Sequence, residues 1–200
     1  MKKIMSSAAV IALIVLGACG NNGETDSKKI ADSTNTANID SAKKADTVAN
    51  SNNHLADLKP DAEFVVAAAD GGMLEVTLGK MAEKKGATKQ IKALGAMMVK
   101  DHSKANDELK ALALEKNITI PTTMSEKCQK KAADLSEKSG KDFDKAYADL
   151  MVNDHKDDID DFKKEADKGH DSNISLWAKG KVPVLEHHLM MSEKAKDTLK

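Results

Sequence analysis

Apolar side chains recur at intervals of three and four residues through most of this chain, the spacing that builds one face of an α-helix. From Pro60, a residue suited to a first helical turn, the pattern predicts a helix over 60–85 that stops at Gly86. A second is predicted over 88–117 and is broken by Ile118-Thr-Ile-Pro121-Thr-Thr. A short helix follows over 125–138, ending at Gly140. Two more long ones cover 141–168, ending at Gly169, and 172–199, where Pro183 predicts a kink or a restart. The brief links within the first and last pairs imply antiparallel neighbours. The long passage through the short helix suits a crossover along a bundle, with an up-down-up-down arrangement as the alternative.

Two segments ahead of Pro60 break this pattern. Lys2 and Lys3 precede an apolar run from Ile4 to Leu16, too short to span a bilayer as a helix, and the run closes on Leu16-Gly17-Ala18-Cys19. This matches the lipobox of a bacterial lipoprotein signal, which makes 1–18 a signal peptide cleaved before a lipidated Cys19. Acyl chains contributing roughly 0.8 kcal/mol per buried methylene would hold the protein on a membrane. An ordinary secretory signal followed by a chance cysteine is the alternative. Residues 19–59 are rich in Asn, Asp, Ser, Thr, Ala and Lys, too poor in large apolar groups to offset ordering entropy. A disordered, lipid-anchored tether is expected there, with His54 solvated inside it, leaving 60–200 as the helical domain. The expected location is the cell envelope, facing the periplasm or the cell exterior.

Projection on helical wheels gives the sharpest chemical signal. On the 60–85 helix Phe64, Ala68, Gly71, Leu78 and Ala82 form a stripe with Glu75 near its centre. His102 sits amid Ile91, Leu94, Met98, Ala105, Leu109 and Leu112, and His155 amid Tyr147, Met151, Ile159 and Phe162. His188 shares a side with Trp177, Val184, Met191 and Ala195. Each polar residue lies about halfway along its helix, so one carboxylate and three imidazoles converge at one level of an apolar core. Burying them is costly unless they satisfy one another or share a metal. Two readings stand: a single transition-metal ion (Zn, Fe or Cu) held by Glu75, His102, His155 and His188, or a metal-free hydrogen-bond network that fixes helix register.

Several neighbours bear on the choice. Met98-Val-Lys-Asp-His102 recurs as Met151-Val-Asn-Asp-His155, as if two similar hairpins had been joined. Asp101 and Asp154 could orient the histidines from behind, or be solvated flanks, the reading the pattern favours slightly. Met98, Met151 and Met191 lie about one turn from the histidines; thioethers there would favour copper, but core filling is the commoner role. Tyr147 and Trp177 are expected in the core or at its rim, and His170 and His187 exposed.

Composition removes other classes. The 200 residues are 40% hydrophobic but 2% aromatic, so Ala, Leu, Met and Val must do the packing, which suits helices. Net charge is −1, which excludes nucleic acid as an obvious partner. All 31 basic side chains are lysine, so bidentate phosphate clamping by arginine is unavailable. With Cys19 consumed by lipid, Cys128 has no intramolecular partner. Its neighbours Lys127, Lys130 and Lys131 suggest an exposed passenger thiol.

The same residues carry a family resemblance. Phe64-Val-Val-Ala-Ala-Ala-Asp-Gly-Gly-Met-Leu-Glu75-Val, Met98-Val-Lys-Asp-His102-Ser-Lys-Ala-Asn106, Pro121-Thr-Thr, Phe143-Asp-Lys-Ala-Tyr147, Met151-Val-Asn-Asp-His155 and Val182-Pro183-Val-Leu-Glu-His-His188-Leu are similar to motifs of domain-of-unknown-function family 4142. The resemblance spans about 60–196. It implies a secreted or membrane-anchored bacterial protein with an all-α, ferritin-like four-helix bundle and a short extra helix in the crossover; it implies no activity. Di-iron members of the ferritin-like group use Glu-x-x-His motifs. Here Val99, Val152 and Leu185 stand three residues before the histidines, so the bridging carboxylates are missing and one metal ion is the most the residues support.

Overall fold

The computed structural model describes residues 26–46 and 58–199. Segment 1–18, expected to be a signal peptide, lies outside them, as do Cys19 and His54. Among the described residues every regular element is helical: α1 (Ser27–Asp46), α2 (Leu58–Lys85), α3 (Lys89–Glu115), α4 (Glu126–Ser136), α5 (Gly140–Lys168) and α6 (Ser172–Asp197). None is long and apolar enough to cross a membrane.

Local chemistry sets the helix ends. Thr88 accepts the Ile91 N–H at the start of α3, Ser125 accepts the Cys128 N–H at the start of α4, and Asp171 accepts the Asn173 and Ile174 N–H groups at the start of α6. Beyond α3, Asn117 takes a left-handed conformation with φ 55°, which Asn tolerates better than most residues. The restart expected at Pro183 does not occur, since α6 runs through it and keeps Leu185 and His188 buried beyond the ring.

α2 pairs with α3 and α5 with α6; α2 also packs on α5, and α3 on α6. The α2–α3 backbones meet at Gly79 and Gly95, where a Cβ on either would stand 2.8 or 2.6 Å from the other's carbonyl oxygen.

Three buried aspartates fix how the pairs meet. Asp144, near the start of α5, accepts the Ala87 and Thr88 N–H groups at 2.8 and 2.9 Å, so α5 begins where α3 begins. Asp61, in the first turn of α2, accepts the His170 N–H at 2.9 Å, so α5 ends where α2 begins. Lys116 pairs with Asp171 at 2.8 Å, joining the end of α3 to the start of α6. The connection over 116–139 therefore runs from one end of the packed helices to the other. Asp70 holds it midway, accepting from Ser125 N and Oγ at 2.7 and 2.6 Å.

Two sequence expectations need correction. Residues 27–46 are helical, not disordered. Asn35, buried to 5% exposure, donates to the Thr119 carbonyl at 2.8 Å and accepts its N–H at 2.7 Å, while α1 lies on α2 with Ala31 buried. That ordering comes from a small-residue face and long-range backbone partners, which apolar content does not register. Cys128 is buried, not exposed, and its thiol donates to Asp70 at 3.2 Å. Burial pushes its pKa up to about 11, so it is held as the unreactive thiol.

The Asp61 end also stores an electrostatic penalty. Glu165 is buried beside it with Oε1 unpartnered, and burial followed by the Asp61 charge pushes its pKa up to about 7. A carboxyl group whose folded pKa is raised costs nothing below its unfolded value. The cost grows as pH rises from there and is complete above the folded value. Glu165→Gln should therefore leave the melting temperature unchanged near pH 4 and raise it at pH 8, read by thermal melts across that range.

Candidate metal centre

The apolar core is divided in two. Leu78, Ile91, Met98, Phe143, Tyr147 and Met151 belong to one cluster, and Val65, Ala69, Leu109, Ala113 and Ile174 to the other. Between them, at mid-length on α2, α3, α5 and α6, lie Glu75, His102, His155 and His188, all no more than 6% exposed. The four residues singled out by helical projection are thus brought together.

Each imidazole has one nitrogen held from behind by an oxygen. His155 Nδ1 donates to the Met151 carbonyl of its own helix at 2.9 Å, and His188 Nε2 lies 3.1 Å from Asp101 Oδ2. His102 Nδ1 lies 2.8 Å from Glu75 Oε2. The other nitrogens turn inward: His155 Nε2 and His188 Nδ1 stand 3.2 Å apart, and His102 Nε2 is buried with no partner. Ring centroids are 5.0, 5.2 and 5.5 Å apart.

Burial dominates the charge states. It lowers His102 and His188 to about 4 and His155 to about 3, the neighbouring imidazoles adding to the effect at His155 and His188. All three are neutral near pH 7. A carbonyl oxygen only accepts, so the His155 proton is on Nδ1 and its Nε2 carries a lone pair. With the His188 proton assigned to Nε2 facing the Asp101 carboxylate, its Nδ1 carries another. Two lone pairs therefore face each other at 3.2 Å in a buried layer.

That arrangement fits a cation. A tetrahedral ion with nitrogen ligands at about 2.0–2.1 Å separates the nitrogens by about 3.3 Å and the ring centres by about 5 Å. One ring nitrogen from each of His102, His155 and His188 lies within 4.8 Å of the other two, and the three histidines could hold a metal ion. Glu75 Oε1, unpartnered and buried, is 3.5 Å from His155 Nε2.

Two participants escaped the sequence analysis or were underrated by it. Asp158, one turn beyond His155, lies against Glu75; burial and then the Glu75 charge raise it well above the carboxylate range. Glu75 is raised likewise, by burial first and then by Asp154. Asp158 sits in the acidic run Asp157-Asp158-Ile159-Asp160-Asp161, which masked it; its place three residues after His155 was the available signal. Asp101 is no solvated flank, because it anchors His188. Asp154 instead pairs with Lys131 at 2.6 Å, so the two halves of the sequence echo do different work. Met98 and Met151 are fully buried among apolar side chains and Met191 packs against them, the core-filling role. Tyr147 is fully buried, stacked on Phe143, and Trp177 is half-buried beside Phe162. His187 is exposed, whereas Val184, expected inward, is 38% exposed and Leu185 takes the inward place.

A domain of unknown function, DUF4142, matches residues 44–195, and the chain belongs to that family. Comparison with curated proteins and with solved structures returns no match.

The tautomers are directly observable. In metal-free protein, ring-nitrogen NMR should show His155 protonated on Nδ1 and His188 on Nε2. Asp101→Ala should move the His188 proton to Nδ1, where it donates to His155 Nε2. Nδ1 protonation of His188 in the unsubstituted chain would overturn the assignment.

Proposed function

We propose that this protein is a lipid-anchored, ferritin-like four-helix bundle of the cell envelope that binds one transition-metal ion at mid-bundle, for metal buffering, sensing or stress tolerance. The observation that carries the metal reading is the pair of inward lone pairs on His155 and His188, beside an unpartnered His102 nitrogen. With both imidazoles neutral and their outer nitrogens donating, no histidine proton remains to place between them. His102, His155 and His188 would supply nitrogen donors and Glu75 Oε1 the oxygen. Asp101 and the Met151 carbonyl, gripping the outer nitrogens, play the orienting part that metal-bound histidines commonly require. Three imidazoles and one carboxylate suit zinc, iron or copper rather than calcium or magnesium. Two antiparallel pairs joined by an end-to-end connection support the ferritin-like arrangement. The envelope location rests on the Leu16-Gly17-Ala18-Cys19 motif.

Elemental analysis of protein purified without chelator should find close to one equivalent of metal. Free Zn2+ at about 100 times its dissociation constant should stabilise chelated protein by about 2.7 kcal/mol. His102→Ala and His188→Ala should abolish that gain, and Asp101→Ala should weaken binding about 10–100-fold. A melting temperature indifferent to both chelator and added metal would refute the reading.

The anchor has its own test. Mass spectrometry of membrane-extracted protein should find a mature chain starting at acylated Cys19, and Cys19→Ala should move the protein to the soluble fraction. Unchanged membrane partitioning of that variant would sink the idea.

A further inference from the structure

The histidine layer is not sealed. A cavity of about 170 Å³ lies between α2, α3, α5 and α6, with Glu75, His102, Asp158 and His188 on its inner wall. Its outer wall combines Ala68, Gly71, Phe162 and Trp177 with the polar Asn106 and Lys181, and it reaches the surface by the exposed Lys104 and Val184. Phe162 and Trp177 present tilted rings with centroids 5.5 Å apart, backed by Phe64. The Lys181 ammonium stands 5.7 Å from the Trp177 ring and is paired with Glu108, so the mouth carries no uncompensated lysine there.

We propose that this cavity is a binding chamber for a small planar aromatic molecule bearing one nitrogen or oxygen donor, which it presents to the histidine layer. The inference rests on the metal reading for what the donor atom meets, and on the cavity for everything else. The volume matches that of cavities which admit a benzene-sized ring. The Phe162 and Trp177 rings select a flat, largely apolar body, and the imidazoles and carboxyl groups of the inner wall fix its orientation. Zinc-type sites can expand from four to five ligands, so the donor would join the ion's shell or replace Glu75 Oε1.

Gly71 gives the means to test it. A Cβ built there meets nothing within 4 Å, so this helical position faces open space where a side chain could stand. By contrast, a Cβ on Gly72 would lie 2.0 Å from Asn106 Oδ1. Gly71→Ala should be tolerated, whereas Gly71→Phe should fill the chamber; Ala105→Leu narrows it independently from α3.

The experiment loads the full chain with Co2+ and follows the visible spectrum during titration with imidazole and, separately, phenol. The expected result is a spectral change that saturates for imidazole or phenol. Gly71→Phe and Ala105→Leu should weaken that response at least about tenfold, or about 1.4 kcal/mol, while taking up Co2+ as before. Failure of the unsubstituted chain to take up Co2+ refutes the metal reading. Co2+ uptake without a response to either probe refutes the chamber alone, as does an undiminished response in both filled variants that still bind Co2+. If one filled variant does not fold, the other decides.

Discussion

The desolvation of the histidine layer is the constraint on which the rest depends. Three imidazoles and a carboxylate occupy the middle of a core whose two halves are built mainly of apolar side chains. Desolvation makes the charged forms expensive, which keeps the histidines neutral and drives Glu75 and Asp158 toward their protonated forms. Neutral imidazoles have one donor each, and three fixed oxygens behind them use those donors or compete for them. Lone pairs are therefore left facing inward, where an electrophile or a proton from a neighbouring carboxyl group can satisfy them. Replacing buried polar groups by aliphatic residues of similar volume is often neutral or stabilising, so the layer fits the proposed metal role better than a purely structural one.

The ends of the molecule use buried charge differently. Asp61, Asp70 and Asp144 each accept two or more hydrogen bonds from segments distant in sequence, and each joins a loop to a helix. These carboxylates have several donors apiece, whereas Glu165 keeps an unpartnered oxygen and a raised pKa. Satisfied acids fix where α5 begins and ends and where α6 begins, and that placement sets the level at which His155 and His188 meet Glu75 and His102. The geometry of the layer thus depends on contacts some distance along the helices from it.

Much of this was legible in the sequence because helical periodicity reports which face of a segment is buried. The four long helices begin and end within about two residues of where the apolar pattern put them, and Glu75, His102, His155 and His188 do face one another. What periodicity does not report is a partner. Asp101 lies beside an inward histidine and looks like its solvated flank, yet its oxygen reaches His188 on another helix. Asp158 is hidden in an acidic run, and α1 is ordered by Asn35 meeting the Thr119 backbone across 84 residues. Cys128 looked exposed among lysines, but the Asp70 carboxylate that accepts its thiol lies 58 residues away. Each miss is a polar group whose role is set by a partner distant in sequence.

The layer's donor inventory also limits the chemistry. Bridging two metal ions requires carboxylates whose oxygens can be shared, and the positions one turn before the histidines hold Val99, Val152 and Leu185. Glu75 has one oxygen engaged with His102, which leaves a single oxygen for coordination. Asp158, the other carboxyl group against it, is disposed to keep its proton by burial and by the Glu75 charge. Three nitrogens and one oxygen suffice for a single ion and fall short of a pair. The apolar cavity opening on that layer then matters as much as the donors, because it decides which small molecules share the space beside them.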